Sequence, residues 1–217
     1  MIRNIHTHIP AKDAIRSFSF GEIHEAIHYD APFSVGIHPW ETNTMNCSVA
    51  EACLQLEQLL YRKNCFAVGE CGLDKLRGAS LKEQIEILSL QLALAEKTGK
   101  PVIIHCVKAF NELISLKKEW INVAMVVHGF RSKMQVAQMI IKQGIKLSFG
   151  TYLLSSPSIQ EIYSILPDTE TFLETDEQEP AEINKLIQFA AKLKNVSLEA
   201  FEKKIVQNTH TFFDVKL

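Results

Sequence analysis

Eight short apolar runs, near residues 2–6, 14–19, 33–38, 66–70, 101–105, 123–128, 145–149 and 171–174, punctuate this chain of 217 residues. Each has the length of a strand, and between the later ones apolar residues recur at helical spacing. Val49, Cys53, Leu56 and Leu60 do so behind Ser48, which forms a capping-box pattern with Glu51. Leu81, Ile85, Leu88, Leu92 and Ala95 follow Ser80 and Glu83 in the same way, and Gly99 with Pro101 ends that helix. Further helices fall near 108–118, 133–143, 157–166, 181–194 and 198–207. Strands joined through helices run parallel, because the helix carries the chain back to the end where the next strand starts. Eight of them predict an α/β fold, a TIM-type (β/α)8 barrel, with an open doubly wound sheet as the alternative. The first 40 residues leave little room for helices between three strands, so the barrel is expected to be abbreviated or distorted near the N-terminus.

A hydrophobic content of 47% supports one full core, and no Pro/Gly/Ser-rich linker divides the chain, so residues 1–217 read as a single domain. The net charge of −2, without a long block of like charge, argues against broad charge-driven binding to nucleic acid. No apolar stretch approaches the roughly 18 residues needed to span a bilayer, and the N-terminus lacks a signal-like apolar region. Five cysteines, an odd number without a C-x-x-C pair, suit reduced thiols and a cytoplasmic location. No obligate protein partner and no membrane association are inferred.

Six residues end strands with side chains that hold divalent metals: His6, His8, Glu70, His105, His128 and Asp176. The C-terminal ends of barrel strands are where such folds carry out chemistry. In His6-Thr7-His8 the period of two puts both imidazoles on one strand face, able to clasp one ion. Each residue also has a plainer explanation: a hydrogen-bonded core histidine for His105 or His128, a solvated turn for Glu70, a helix N-cap for Asp176. Together they suit two cations roughly 3.5–4 Å apart, bridged by a carboxylate and a hydroxide. Histidine-rich ligation suits zinc, and the carboxylates also admit manganese, magnesium or iron.

A rival motif is His24-Glu25-Ala26-Ile27-His28, a literal H-E-x-x-H as in zinc peptidases. Gly21 and Pro32 bracket it closely enough that only a short helix fits. Trp40 either lines a pocket or packs a loop. Nothing marks Cys71 as a nucleophile, and Cys106 is expected to face the covering helices.

The ordered motifs His6-Thr7-His8, Gly36-Ile37-His38-Pro39, Gly69-Glu70-Cys71-Gly72-Leu73-Asp74, Pro101 to His105, His128-Gly129-Phe130, Glu174-Thr175-Asp176 and Asn208 resemble the TatD-type metal-dependent hydrolases of the amidohydrolase superfamily. The resemblance runs nearly the whole length. It implies a TIM-type barrel, two divalent metal ions and hydrolysis of phosphodiester or related ester bonds, often as a deoxyribonuclease. Carried over by motif, His6, His8 and Asp176 bind one metal, His105 and His128 bind the second, and Glu70 bridges. The implied mechanism has a metal-bridging hydroxide attack phosphorus, with Asp176 as proton acceptor and Glu70 as the second catalytic carboxylate. His38, Asp74, Lys108 and Arg131 are the expected substrate contacts, and the substrate is a small phosphoester or a nucleic-acid end. Hydrolysis of a small amide, lactone or phosphomonoester, or metal binding with weak catalysis, are the alternatives.

The chain departs from the family pattern where substrate contacts are expected. Asn4 stands in place of an Asp, Lys75-Leu76 in place of an aromatic pair, and Val107 in place of an Arg. Gly129 and Arg131 replace the Cys and Ser of the usual His-Cys-Phe-Ser. The metal-binding positions are all retained.

Overall fold

The computed structural model describes residues 1–214. Eight strands form one sheet in strict chain order: β1 (Asn4–Thr7), β2 (Ala14–Ser19), β3 (Phe33–Gly36), β4 (Cys65–Asp74), β5 (Val102–Val107), β6 (Met125–Val127), β7 (Ile145–Phe149) and β8 (Thr171–Leu173). Where residue register is defined, as in β1–β2, β3–β4, β4–β5 and β7–β8, the pairing is parallel. A parallel bridge also joins Thr7 to Asp176, tying the start of the order to its end. The fold is the TIM-type barrel. The unreversed strand order sets aside the doubly wound alternative, whose sheet has a switch point.

The helices are α1 (Ile23–Ile27), α2 (Val49–Leu60), α3 (Leu81–Thr98), α4 (Phe110–Glu119), α5 (Met134–Lys142), α6 (Pro157–Ile165), α7 (Glu182–Leu193) and α8 (Leu198–Phe213). The thin N-terminal part is as expected. No helix joins β1 to β2, and only a 3-10 turn and the five-residue α1 join β2 to β3. Capping boxes start α2 at Ser48 and α3 at Ser80, and Gly99, at φ +66°, ends α3. The predicted final helix is longer than expected, running to Phe213.

Residue contacts gather into two compact units, Ser17–Val126 and Met1–Arg16 with Val127–Leu217. In the first, Leu56, Leu60, Leu88 and Leu92 of α2 and α3 are fully buried, as are Phe33, Val35, Val68, Ile103 and Ile104 of the strands. Each such side chain contributes about 1.5–3 kcal/mol on leaving water. Two glycines in β4 set the approach of β5. A Cβ on Gly69, at φ +141°, would lie 2.6 Å from the Ile103 carbonyl oxygen. One on Gly72, at φ +152°, would lie 2.0 Å from the His105 carbonyl oxygen. No side chain fits at either place, so Gly-Glu-Cys-Gly brings Glu70 and His105 together. In the second unit, Ile5, Phe149, Leu153, Leu186 and Ile187 are fully buried. There Asn208 of α8 donates to the Asp168 carbonyl at 2.8 Å, a structural tie.

Candidate metal centre

In the unit formed by residues 1–16 and 127–217, the end of β1 is stitched to the segment after β8. The amides of Thr175 and Asp176 donate to the His6 carbonyl at 3.3 and 3.1 Å, and the His8 amide donates to the Asp176 carbonyl at 3.0 Å. The Thr7 hydroxyl donates to that same carbonyl at 3.2 Å. These bonds hold Asp176 at φ +54°, a left-handed conformation unusual for a side-chain-bearing residue. Its carboxylate then faces both imidazoles of the H-x-H pair. Asp176 Oδ1 lies 3.5 Å from His6 Nε2 and 3.6 Å from His8 Nε2.

That spacing can be checked against a metal. An ion held at about 2.0–2.2 Å by tetrahedral ligands sets its donor atoms about 3.3–3.6 Å apart. The separations are too long for good hydrogen bonds and match those of co-ligands. Nitrogen and carboxylate donors with His6 wholly buried suit a divalent cation. The residues fit the group.

His128 stands beside this set, its ring centroid 4.4 Å from that of His6. Its Nδ1 lies 3.3 Å from Glu174 Oε1, and the same oxygen accepts the Gly129 amide at 2.6 Å. A carboxylate on one ring nitrogen leaves the other available as a metal donor. Glu174 is fully buried and is the site residue the sequence reading left without a role. Its signal was present: an acid ending the apolar run Phe172-Leu173, where burial demands a partner.

The unit Ser17–Val126 carries a second donor set. Glu70 Oε1 lies 2.8 Å from His105 Nδ1 and 3.2 Å from His38 Nε2. One ligand atom from each of these three residues lies within 4.8 Å of the others, close enough to share an ion. The Glu70 amide donates to Ser17 Oγ at 3.0 Å. Gln91 clasps the Ile37 backbone, accepting its amide at 2.7 Å and donating to its carbonyl at 3.1 Å. His38, expected as a phosphate contact, is thus placed among the potential ligands.

Asp74, expected at the substrate, is buried behind this set. Its Oδ2 lies 3.3 Å from His105 Nε2 and accepts the Trp40 indole N–H at 2.7 Å, and Oδ1 accepts the Leu76 amide at 2.7 Å. Burial pushes its carboxyl up, but the Trp40, Leu76 and His105 hydrogen bonds outweigh it and hold the group below the usual range. Lys108 is exposed at φ +56°, and Arg131 is exposed with its guanidinium 5.4 Å from the Tyr152 ring. His24, Glu25 and His28 are exposed, and His28 lies beyond the end of the short α1. None of the three joins a potential metal-holding group among the described residues, which removes the peptidase reading. Burial pushes the Cys106 thiol up to about 12, far from a nucleophile's range.

A TIM-type barrel with histidine–carboxylate sets within and just beyond its strands defines a metal-dependent hydrolase. The sequence pattern of the TatD related DNase family matches residues 12–214, and the chain belongs to that family. It is 30% identical to the 3'-5' ssDNA/RNA exonuclease TatD of Musicola paradisiaca over 66% of this chain and 55% of that protein. This match therefore spans only about half of the relative's length. With the Pantoea ananatis protein of the same name it shares 25% identity over 94% of this chain and 86% of the relative. A TatD homologue from Escherichia coli K12, YJJV, has the same fold, with a TM-score of 0.83 at 23% identity, covering 100% of this chain and 98% of that one. A TatD family hydrolase from Entamoeba histolytica superposes with a TM-score of 0.82 at 18% identity, covering 98% and 97%.

Proposed function

We propose that the whole chain acts as one hydrolase domain that removes nucleotides from the end of a single-stranded nucleic acid, or cleaves a small phosphodiester, using two divalent cations. The observation that carries this reading is the spacing of Asp176 Oδ1, 3.5 and 3.6 Å from the His6 and His8 Nε2 atoms. His6, His8 and Asp176 are proposed to hold one ion, and His38, Glu70 and His105 the other. His128, oriented by Glu174, is a further imidazole donor beside His6. Zinc suits this nitrogen-rich set. Divalent ions, when bound, lower the pKa of water and neutralise charge gathering on the phosphate.

The remaining work belongs to side chains. Asp176 has a carboxylate beside both imidazoles and accepts the proton lost by the attacking water. Asp74, at His105 Nε2, fixes that ring so that Nδ1 faces Glu70. Lys108 and Arg131, both exposed cations, are proposed phosphate contacts. The relatives named as ssDNA/RNA exonucleases support a nucleic-acid end as substrate. A cytoplasmic location is proposed from the five unpaired cysteines. No helix among the described residues is long and apolar enough to cross a membrane.

The test combines metal content with product analysis. Gently purified protein should contain close to two equivalents of metal per chain and shorten a labelled single strand one nucleotide at a time. Chelation should stop the reaction and added zinc or manganese restore it. A metal-loaded protein inert on all phosphodiesters but active on amides or lactones would replace this reading.

A further inference from the structure

Trp40 is a large aromatic side chain left 41% exposed directly beside potential metal ligands. Its ring centroid lies 4.8 Å from that of His38 and 5.6 Å from that of His105. Single exposed apolar residues are common and need no explanation. This one is unusual in being fixed from several sides.

The indole N–H is tied to Asp74 Oδ2 at 2.7 Å. The Trp40 amide donates to His38 Nδ1 at 3.2 Å, and the Thr42 hydroxyl donates to the Pro39 carbonyl at 2.7 Å. The loop after β4 closes on the same turn. A Cβ on Gly78 would lie 2.0 Å from the Pro39 carbonyl oxygen, and the Ala79 amide donates to Thr42 Oγ1 at 3.0 Å. Gln84 pins that loop by donating to the carbonyls of Arg77 and Ala79, each at 2.9 Å. Arg77 is thereby held with its guanidinium 4.5 Å from the centre of the Trp40 ring. It forms no ion pair with an acid among the described residues, although Lys75, two residues earlier, is neutralised by Glu112 at 2.7 Å.

An immobilised aromatic plane topped by an uncompensated guanidinium has the chemistry of a nucleobase platform. Bases stack on indole and on guanidinium planes alike, and the guanidinium also attracts the adjoining phosphate. We propose that Trp40 and Arg77 together bind the nucleoside adjoining the scissile phosphate, giving the enzyme a preference for base-bearing diesters over simple alkyl or aryl ones. This inference rests on the phosphodiesterase reading for its catalytic consequence. The binding itself depends only on the platform.

The experiment compares two substrates with one leaving group, thymidine 5'-(p-nitrophenyl phosphate) and methyl p-nitrophenyl phosphate, in Trp40→Ala, Trp40→Phe and Arg77→Ala variants. Removing one stacking partner should raise KM for the thymidine ester about tenfold more than for the methyl ester. Trp40→Phe, which keeps a ring but loses the bond to Asp74, should recover most of that selectivity. Equal losses on both esters, or a Trp40→Phe variant as unselective as Trp40→Ala, would overturn the proposal. A second readout needs no turnover. In a Trp120→Phe background, thymidine 5'-monophosphate should quench Trp40 fluorescence in a saturable way, and ribose 5-phosphate should not. Quenching by neither ligand overturns the platform. Quenching in a protein that hydrolyses no phosphodiester upholds the platform and removes the proposed reaction instead.

Discussion

Asn4 and Thr175 clasp each other across β1 and the segment after β8. Asn4 Nδ2 donates to Thr175 Oγ1 at 2.8 Å, and Asn4 Oδ1 accepts the Thr175 amide at 3.2 Å. The same oxygen accepts the His6 amide at 3.3 Å. A neutral amide, able to donate and accept at once, sits two residues before His6, the first candidate metal ligand, and bonds to Thr175, the neighbour of Asp176. Asn4→Ala leaves a buried hydroxyl and two amides without these partners. The expected result is a loss of about 1–3 kcal/mol of stability, read as a lower denaturation midpoint in urea. An unchanged midpoint would show the clasp to be dispensable.

Asp176 is proposed to have two tasks, as a metal donor beside His6 and His8 and as proton acceptor. Asp176→Asn keeps the shape and removes the charge. Turnover should fall by about 100-fold or more, with thermal stability nearly unchanged because the segment is held through backbone bonds. Steady-state kinetics with a thermal melt checks both halves. Full activity would remove Asp176 from the mechanism.

Glu174 is proposed to orient His128 rather than to react. Replacing its carboxylate with an amide in Glu174→Gln weakens the interaction that selects the His128 tautomer. Metal affinity should fall about 10- to 100-fold, measurable by competition with a chromophoric chelator. Wild-type affinity would leave Glu174 with a purely structural role at the Gly129 amide.

Asp168 gives a pH-dependent element remote from the ligands. Its Oδ1 and Oδ2 lie 3.2 Å from Lys194 Nζ and 2.8 Å from Lys204 Nζ. Burial raises the carboxyl, but the two ammonium groups outweigh it and hold Asp168 below the ordinary value. A depressed folded-state pKa stabilises above the unfolded value of about 3.9 and loses that contribution as pH falls through the folded one. Asp168→Asn should therefore lower Tm by a few degrees near pH 6, and the gap should shrink below about pH 4. A gap that persists at pH 3 would mean the charge is irrelevant.

Much of the fold was legible from the chain because its signals are local. Ser48 and Ser80 announce their helices by capping chemistry that acts within four residues, and the apolar runs mark strands whatever their neighbours. The first 40 residues also declared their shortage of helices by simple length. The H-E-x-x-H motif shows the converse. Its spacing is correct and Gly21 and Pro32 announce a short helix, but only the fold shows that α1 stops before His28.

The surroundings of His38 and Asp74 escaped the sequence for a similar reason. Both were expected at the substrate, yet His38 lies 3.2 Å from a Glu70 oxygen and Asp74 is buried with its oxygens engaged. Side-chain direction at a strand end depends on the partner strand, here on β5 drawn close by Gly69 and Gly72.

The sequence by itself determined which ligand-type residues follow which apolar runs, and so the class of chemistry, because ligand identity and apolar periodicity are properties of the chain alone; β4 and β5 themselves continue past Glu70 and His105. Only the tertiary structure decided which nitrogen faces which oxygen, since those distances arise between segments up to 170 positions apart, as from His6 to Asp176. Hydrogen bonds from β1 to the end of β8 set them, and such bonds exist only once the strands have paired.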